Sequence, residues 1–152
     1  MPVIAGDRAL SRARVFARVA LGASFLNGVA DRFNLYGGRW AGYGSWAGFV
    51  KYTGKVNAFM PRATIPFLAV SATVAELVLG LLLVAGLWVR GAAWGSLALL
   101  LLFGVAMTIS FGIKSPLDYS VFSAAACALL LAVTDDARVT GRPDSRSAGR
   151  NR

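Results

Sequence analysis

The chain has 152 residues, of which 57% are apolar and 15% charged, with a formal net charge of +9 and a mean hydropathy of +0.60. So much apolar side chain for so little charge is foreign to a soluble domain of this size and points to a membrane-embedded protein. Histidine is absent and Cys127 is the only cysteine, which excludes His-ligated haem, most zinc, copper and non-haem iron sites, an intrachain disulfide and a Cys-x-x-Cys couple.

Residues 1–11 read as a basic N-terminal segment, and a first helix is expected over residues 12–31. Its apolar block, residues 15–30, is interrupted by Arg18, which lies near the helix end and can snorkel to the headgroups. Arg8, Arg12 and Arg14 before an apolar run also fit a signal peptide cleaved after Gly28-Val29-Ala30. The chain beyond residue 30 is itself membrane-like, however, so a signal-anchor helix with a basic front end is preferred. The connection over residues 31–62 is long and rich in aromatic residues: Trp40, Tyr43, Trp46, Phe49, Tyr52 and Phe59. Trp46, Phe49, Thr53 and Val56 recur at helical spacing, Ser45 is placed to cap the turn, and Lys51 and Lys55 share another face. This predicts an interfacial amphipathic helix over residues 45–58, either a cover over the bundle mouth or a lid on a ligand entrance.

A second span is expected over residues 64–89, opened by Pro61 and Pro66 and closed by Arg90-Gly91 as a C-terminal cation and glycine cap. The third, over residues 91–113, is uncharged and longer than the roughly 20 residues a crossing requires. Ser115-Pro116-Leu117-Asp118 reads as a capping box opening a fourth span over residues 116–134. Residues 137–152 carry arginines without apolar periodicity and read as a disordered basic tail that meets anionic headgroups. Short connections force antiparallel neighbours. The fold expected is therefore all-α: an integral membrane four-helix up-down bundle with an interfacial helix in its first loop.

The basic residues set an orientation. Arg8, Arg12, Arg14, Arg18, Arg90 and five tail arginines on one side outnumber Arg32, Arg39, Lys51, Lys55, Arg62 and Lys114 on the other, which places both termini in the cytoplasm. No folded basic surface for nucleic acid is visible in the pattern. Cys127, among small residues, reads as a packing residue, and Gly22, Gly80 and Gly104 as points of close helix approach.

Glu76 is the exceptional residue, a lone carboxylate near the middle of the uncharged run over residues 63–89. A charge at the centre of a membrane span costs about 2.5–3.5 kcal/mol on insertion scales, so it requires either a function or a buried partner. Thr73 and Gly80 share its helix face, which is thereby small and polar and suited to the interior. Asn27, Thr108, Ser110, Tyr119, Ser120 and Ser123 are expected in the half of the bilayer toward the first loop, with Glu76 just below them. Its carboxyl is expected to be neutral and to donate a hydrogen bond unless Lys114, Arg62 or Arg18 reaches it. The carboxylate is either a proton acceptor or ligand anchor, or a structural hydrogen-bonded group.

Three stretches resemble the DoxX family of small bacterial and archaeal membrane proteins: Arg18, Gly22, Phe25 and Gly28 in the first helix; Glu76-Leu77-Val78-Leu79-Gly80 in the second; and Lys114-Ser115-Pro116-Leu117-Asp118-Tyr119-Ser120 opening the fourth. The similarity extends over about residues 12–134. One departure is Asp31, close to where many relatives carry a lysine. The resemblance implies a multi-pass protein of the bacterial plasma membrane linked to quinone redox systems, the family being named for a subunit associated with a terminal quinol oxidase and related to thiosulfate:quinone oxidoreductase. On that basis Glu76 or Asp118 would accept a quinol proton, Tyr119 and Asn27 would hydrogen-bond the head group, and the basic first loop would attract an anion. No intrinsic cofactor and no metal are implied, and quinone is the cofactor to consider. Expected partners are the lipid bilayer, redox subunits, quinone or a small anion, and further copies of the chain in an oligomer. The roles left open are an accessory subunit, a quinone-dependent oxidoreductase, and a small oligomeric transporter or channel.

Overall fold

A computed structural model describes residues 3–38 and 42–134, and among these the chain is helical with no strand. The helices are α1 (Val3–Arg32), α2 (Trp46–Val56), α3 (Ile65–Ala85), α4 (Val89–Phe111), α5 (Lys114–Asp118) and α6 (Val121–Thr134), and a 3₁₀ turn (Arg62–Thr64) leads into α3. The tail expected to be disordered lies outside the described residues, as do Arg39 and Trp40.

Several boundaries differ from expectation, each for a local reason. α1 has 30 residues, about 45 Å of helix, because the basic segment continues it toward the N-terminus. It ends in a Schellman motif: Asn34 takes a left-handed φ of 55°, its amide donates to the Asp31 carbonyl and that of Leu35 to the Ala30 carbonyl. α3 ends at Ala85, ahead of the expected Arg90-Gly91 stop, because Gly86 (φ 75°) supplies the left-handed residue first. The Leu87 amide then reaches the Leu82 carbonyl, and Arg90 and Gly91 fall in the first turn of α4. The expected fourth helix is divided. α5 has no side-chain cap, and Ser120 at φ 55° separates it from α6. α2 is capped by Ser45, whose hydroxyl accepts from the Gly48 amide at 3.1 Å, and it buries Phe49, Thr53 and Val56.

α1 packs on α3, α3 on α4, α4 on α6 and α6 on α1, while α2 lies across α1, α3 and α4. α1 and α3 run antiparallel, since Arg18 meets Leu83 while Arg32 meets Thr73. Their backbones come together at Gly22 and Gly80: a Cβ at Gly22 would lie 2.8 Å from the Gly80 carbonyl oxygen. Only glycine permits that approach. The interior is otherwise apolar, with Leu21, Phe25, Leu83, Ala92, Ala93, Leu100, Met107, Ala125 and Ala128.

Two helical stretches, Arg62–Ala85 and Val89–Phe111, are long and apolar enough to cross a membrane. Only 28% and 33% of their most apolar windows are buried, so these are not the enclosed core helices of a globular domain. Phe67, Val70, Val74, Leu81, Leu102, Val105 and Ile109 all face outward. The other two expected spans do not meet the same standard. Arg8, Arg12, Arg14 and Arg18 interrupt the N-terminal part of α1, and α6 has 14 residues among those described.

Candidate functional site

The site is built at the C-terminal end of α1, where two adjacent charged residues make separate attachments. Arg32, its last residue, turns inward and is 4% exposed; Glu76, in the middle of α3, is likewise 4% exposed. Arg32 Nη2 donates to both carboxylate oxygens of Glu76, at 2.6 and 2.7 Å. Nη1 donates to Thr73 Oγ1 at 2.8 Å, and that hydroxyl donates in turn to the Ala69 carbonyl, also at 2.8 Å. Phe49 of α2 closes the arrangement from above, with the guanidinium carbon 3.8 Å from its ring centroid. The buried Arg32 Nε has no hydrogen-bond partner among the described residues. Gly28 leaves the room: a Cβ there would lie 3.2 Å from Glu76 Oε2.

Asp31 turns the other way. Its carboxylate accepts the Gly42 amide at 2.6 Å and the Tyr43 amide at 3.1 Å, drawing the loop back onto the end of α1. Tyr43 is thereby set edge-on to Phe49 at 5.2 Å and tilted against Tyr52 at 5.3 Å. Tyr52 continues to Phe111 at the end of α4, 6.4 Å away, and Ser110 Oγ donates to the Val56 carbonyl at 2.6 Å. Burial, reinforced by the neighbouring Tyr52, pushes the Tyr43 phenol up to about 12. Tyr52 is raised for the same first reason, with the neighbouring Tyr119 adding to it. Phe33, Trp46 and Phe49 extend the aromatic cover, with ring separations of 5.9 and 5.8 Å.

Glu76 does have a cationic partner, and it is none of the three that the sequence offers as candidates. Arg18 instead donates to the Leu83 and Val84 carbonyls, at 2.8 and 3.3 Å, closing the C-terminal end of α3. Lys114 pairs with Asp118 at the surface, and Arg62 is exposed. In sequence, Arg32 belongs with the outer loop because it comes after the last apolar residue of the first block. Spacing could have recovered it: Arg18, Phe25 and Arg32 are a heptad apart, on the face that carries Gly22 and Val29. The small and polar face of α3 is as expected, since Thr73, Glu76 and Gly80 are all buried.

The remaining candidates are not gathered around Glu76. Asn27 is exposed on the outward face of α1, Asp118 lies in its surface pair, and Tyr119 is 70% exposed. Among the described residues, no three His, Cys, Asp or Glu side chains converge as metal ligands. Chemically, the site is a closed ion pair. One guanidinium occupies both oxygens of one carboxylate, and three helices and an aromatic ring exclude water from them. No family model, curated protein or solved structure matches the chain.

Proposed function

We propose that this chain is a DoxX-like integral membrane protein of the bacterial plasma membrane that serves as an accessory subunit of a quinone-linked redox system. In this reading α1, α3, α4 and α6 cross the bilayer up and down, α2 lies at its outer boundary, and both termini are cytoplasmic. The carrying observation is the Arg32–Glu76 pair. Both carboxylate oxygens are already engaged at 2.6 and 2.7 Å, so Glu76 is better suited to fastening α1 to α3 than to receiving a substrate proton. The outward apolar side chains of α3 and α4 support the membrane setting, since surface of that kind on a soluble protein would be covered by a partner. With Glu76 committed to packing, the electron chemistry is assigned to a partner subunit.

A second reading, a quinone-dependent oxidoreductase in its own right, draws on the Tyr43, Tyr52 and Phe111 cluster. Those rings could stack on a quinone while a phenol donates to its carbonyl. Purification from native membranes in mild detergent, with identification of retained proteins and lipids, separates the two. The accessory reading expects a stoichiometric redox subunit whose activity falls when this chain is depleted. Isolated chain that retains quinone and reduces it, with turnover lost in Tyr43→Phe or Tyr52→Phe, would replace that reading with the second.

A further inference from the structure

The outward face of α1 carries a polar group at a depth where it has nothing to bond. Gly28 lies beside the Glu76 carboxylate, and Glu76 is near the middle of α3, so the neighbouring Asn27 stands close to mid-depth in the proposed bilayer. Asn27 is exposed, and its carboxamide has no hydrogen bond within the described protein. In hydrocarbon such a group requires a partner. Ser24, one turn away on the same face, does not supply one, because its hydroxyl donates to the Ala20 carbonyl of its own helix at 2.9 Å. Ala20, Ala23 and Ser24 are all exposed, leaving a shallow surface against which a second helix can approach closely.

We infer that this face of α1 is the contact between two copies of the chain, paired through Asn27. The inference rests on the membrane reading above. A carboxamide carries both a donor and an acceptor, so it is complementary to itself. In a two-fold dimer whose axis is the membrane normal, equivalent residues of the two copies lie at equal depth, so Asn27 meets the partner's Asn27 without adjustment of register. A polar residue at one such position fixes alignment and favours the dimer over larger assemblies. The α3 face with Phe67, Val70 and Val74 also exposes Ser71, whose single hydroxyl can turn back to a carbonyl of its own helix as a carboxamide cannot, and the α4 face lined by Leu102, Val105 and Ile109 offers only apolar groups, which lipid satisfies.

The test is disulfide trapping in native membranes on the full chain with Cys127→Ser. Single cysteines are placed at Ala20 and Ser24, with Asn27 intact, and at Leu102, Val105 and Ile109 as controls, using only the fraction that resists alkaline extraction. The expected result is self-dimer at positions 20 and 24 and little at the α4 positions. Adding Asn27→Leu to Ala20→Cys should weaken self-association about three- to tenfold, as expected for loss of an interhelical hydrogen bond. Equal trapping at α4, no trapping at α1, or capture of a different protein by positions 20 and 24 overturns the inference. Chain released by alkaline extraction overturns the membrane reading itself, and the dimer with it.

Discussion

Removing Glu76 alone should be far more damaging than removing Glu76 and Arg32 together. At 2.6–2.7 Å and an effective dielectric of about 20, the gross attraction is about 6 kcal/mol. Desolvating each ion costs several kcal/mol, so the pair as a whole is close to neutral for stability. Glu76→Leu leaves a guanidinium that is 4% exposed with Thr73 as its one oxygen partner among the described residues and the Phe49 ring against it. A stranded buried charge of that kind costs about 3–5 kcal/mol. Arg32→Leu strands the carboxylate and should cost the same. In the Arg32→Leu/Glu76→Leu double variant both desolvation penalties vanish, and stability should return to within about 1 kcal/mol of the parent or exceed it. Reversible SDS unfolding of detergent-purified protein, monitored by tryptophan fluorescence, gives all three values and their coupling. Additive losses in the double variant, or an innocuous Glu76→Leu, would refute the assignment of the pair as a closed structural latch.

The geometry sets three other outcomes. Gly22→Ala should destabilise by about 1–3 kcal/mol, since its Cβ would press on the Gly80 carbonyl at 2.8 Å; Gly38→Ala, with nothing within 4 Å, should change the same unfolding midpoint little. Asp31→Ala removes the acceptor for two loop amides; amide hydrogen exchange should accelerate at Gly42 and Tyr43 while the Arg32–Glu76 contact persists, and unchanged exchange would contradict the loop anchor. Because the Tyr43 phenol is raised from 10.0 to about 12 in the folded chain, the unfolded state releases its proton first. Stability from this group is therefore intact below about pH 10 and declines between about pH 10 and pH 12. Tyr43→Phe should flatten that limb of a melting-temperature profile, and an unaltered limb would assign the loss to another group.

Periodicity and punctuation locate the interior face of α3 and the cap of α2, because both are local properties. Thr73, Glu76 and Gly80 recur at helical spacing, and Ser45 needs only the amide of Gly48 three residues on. Boundaries fail where two stop signals compete. Gly86 and Arg90-Gly91 are both plausible ends for α3, and the earlier glycine prevails once its left-handed φ allows the Leu87 amide to reach back to Leu82. Likewise Ser115-Pro116 looks like a helix start, yet the positive φ at Ser120 restarts the chain. The partner of Glu76 is hidden for a different reason. An arginine beside an aspartate at the end of an apolar run looks like the edge of the membrane, and Asp31 does behave as a loop residue.

The side to which Arg32 turns is decided by the helix, not by local composition. Along α1, Arg18 and Arg32 lie one heptad on either side of the buried Phe25, and both point at α3. Arg18 reaches the Leu83 and Val84 carbonyls in the last turn of a helix, where the negative end of the helix dipole accepts a cation without a counter-charge. Arg32 arrives in the middle of α3, where every backbone carbonyl is already used by the helix, so side chains receive it: Thr73 Oγ1 takes one bond and Glu76 supplies the counter-charge. Glu76 is thus a consequence of where α1 ends relative to α3. Shifting the two helices by one turn would set Arg32 against Ala72 or Gly80 and leave both charges buried without partners. The pair therefore selects the same register between α1 and α3 that the close approach at Gly22 and Gly80 requires, so a slide of one turn would lose both.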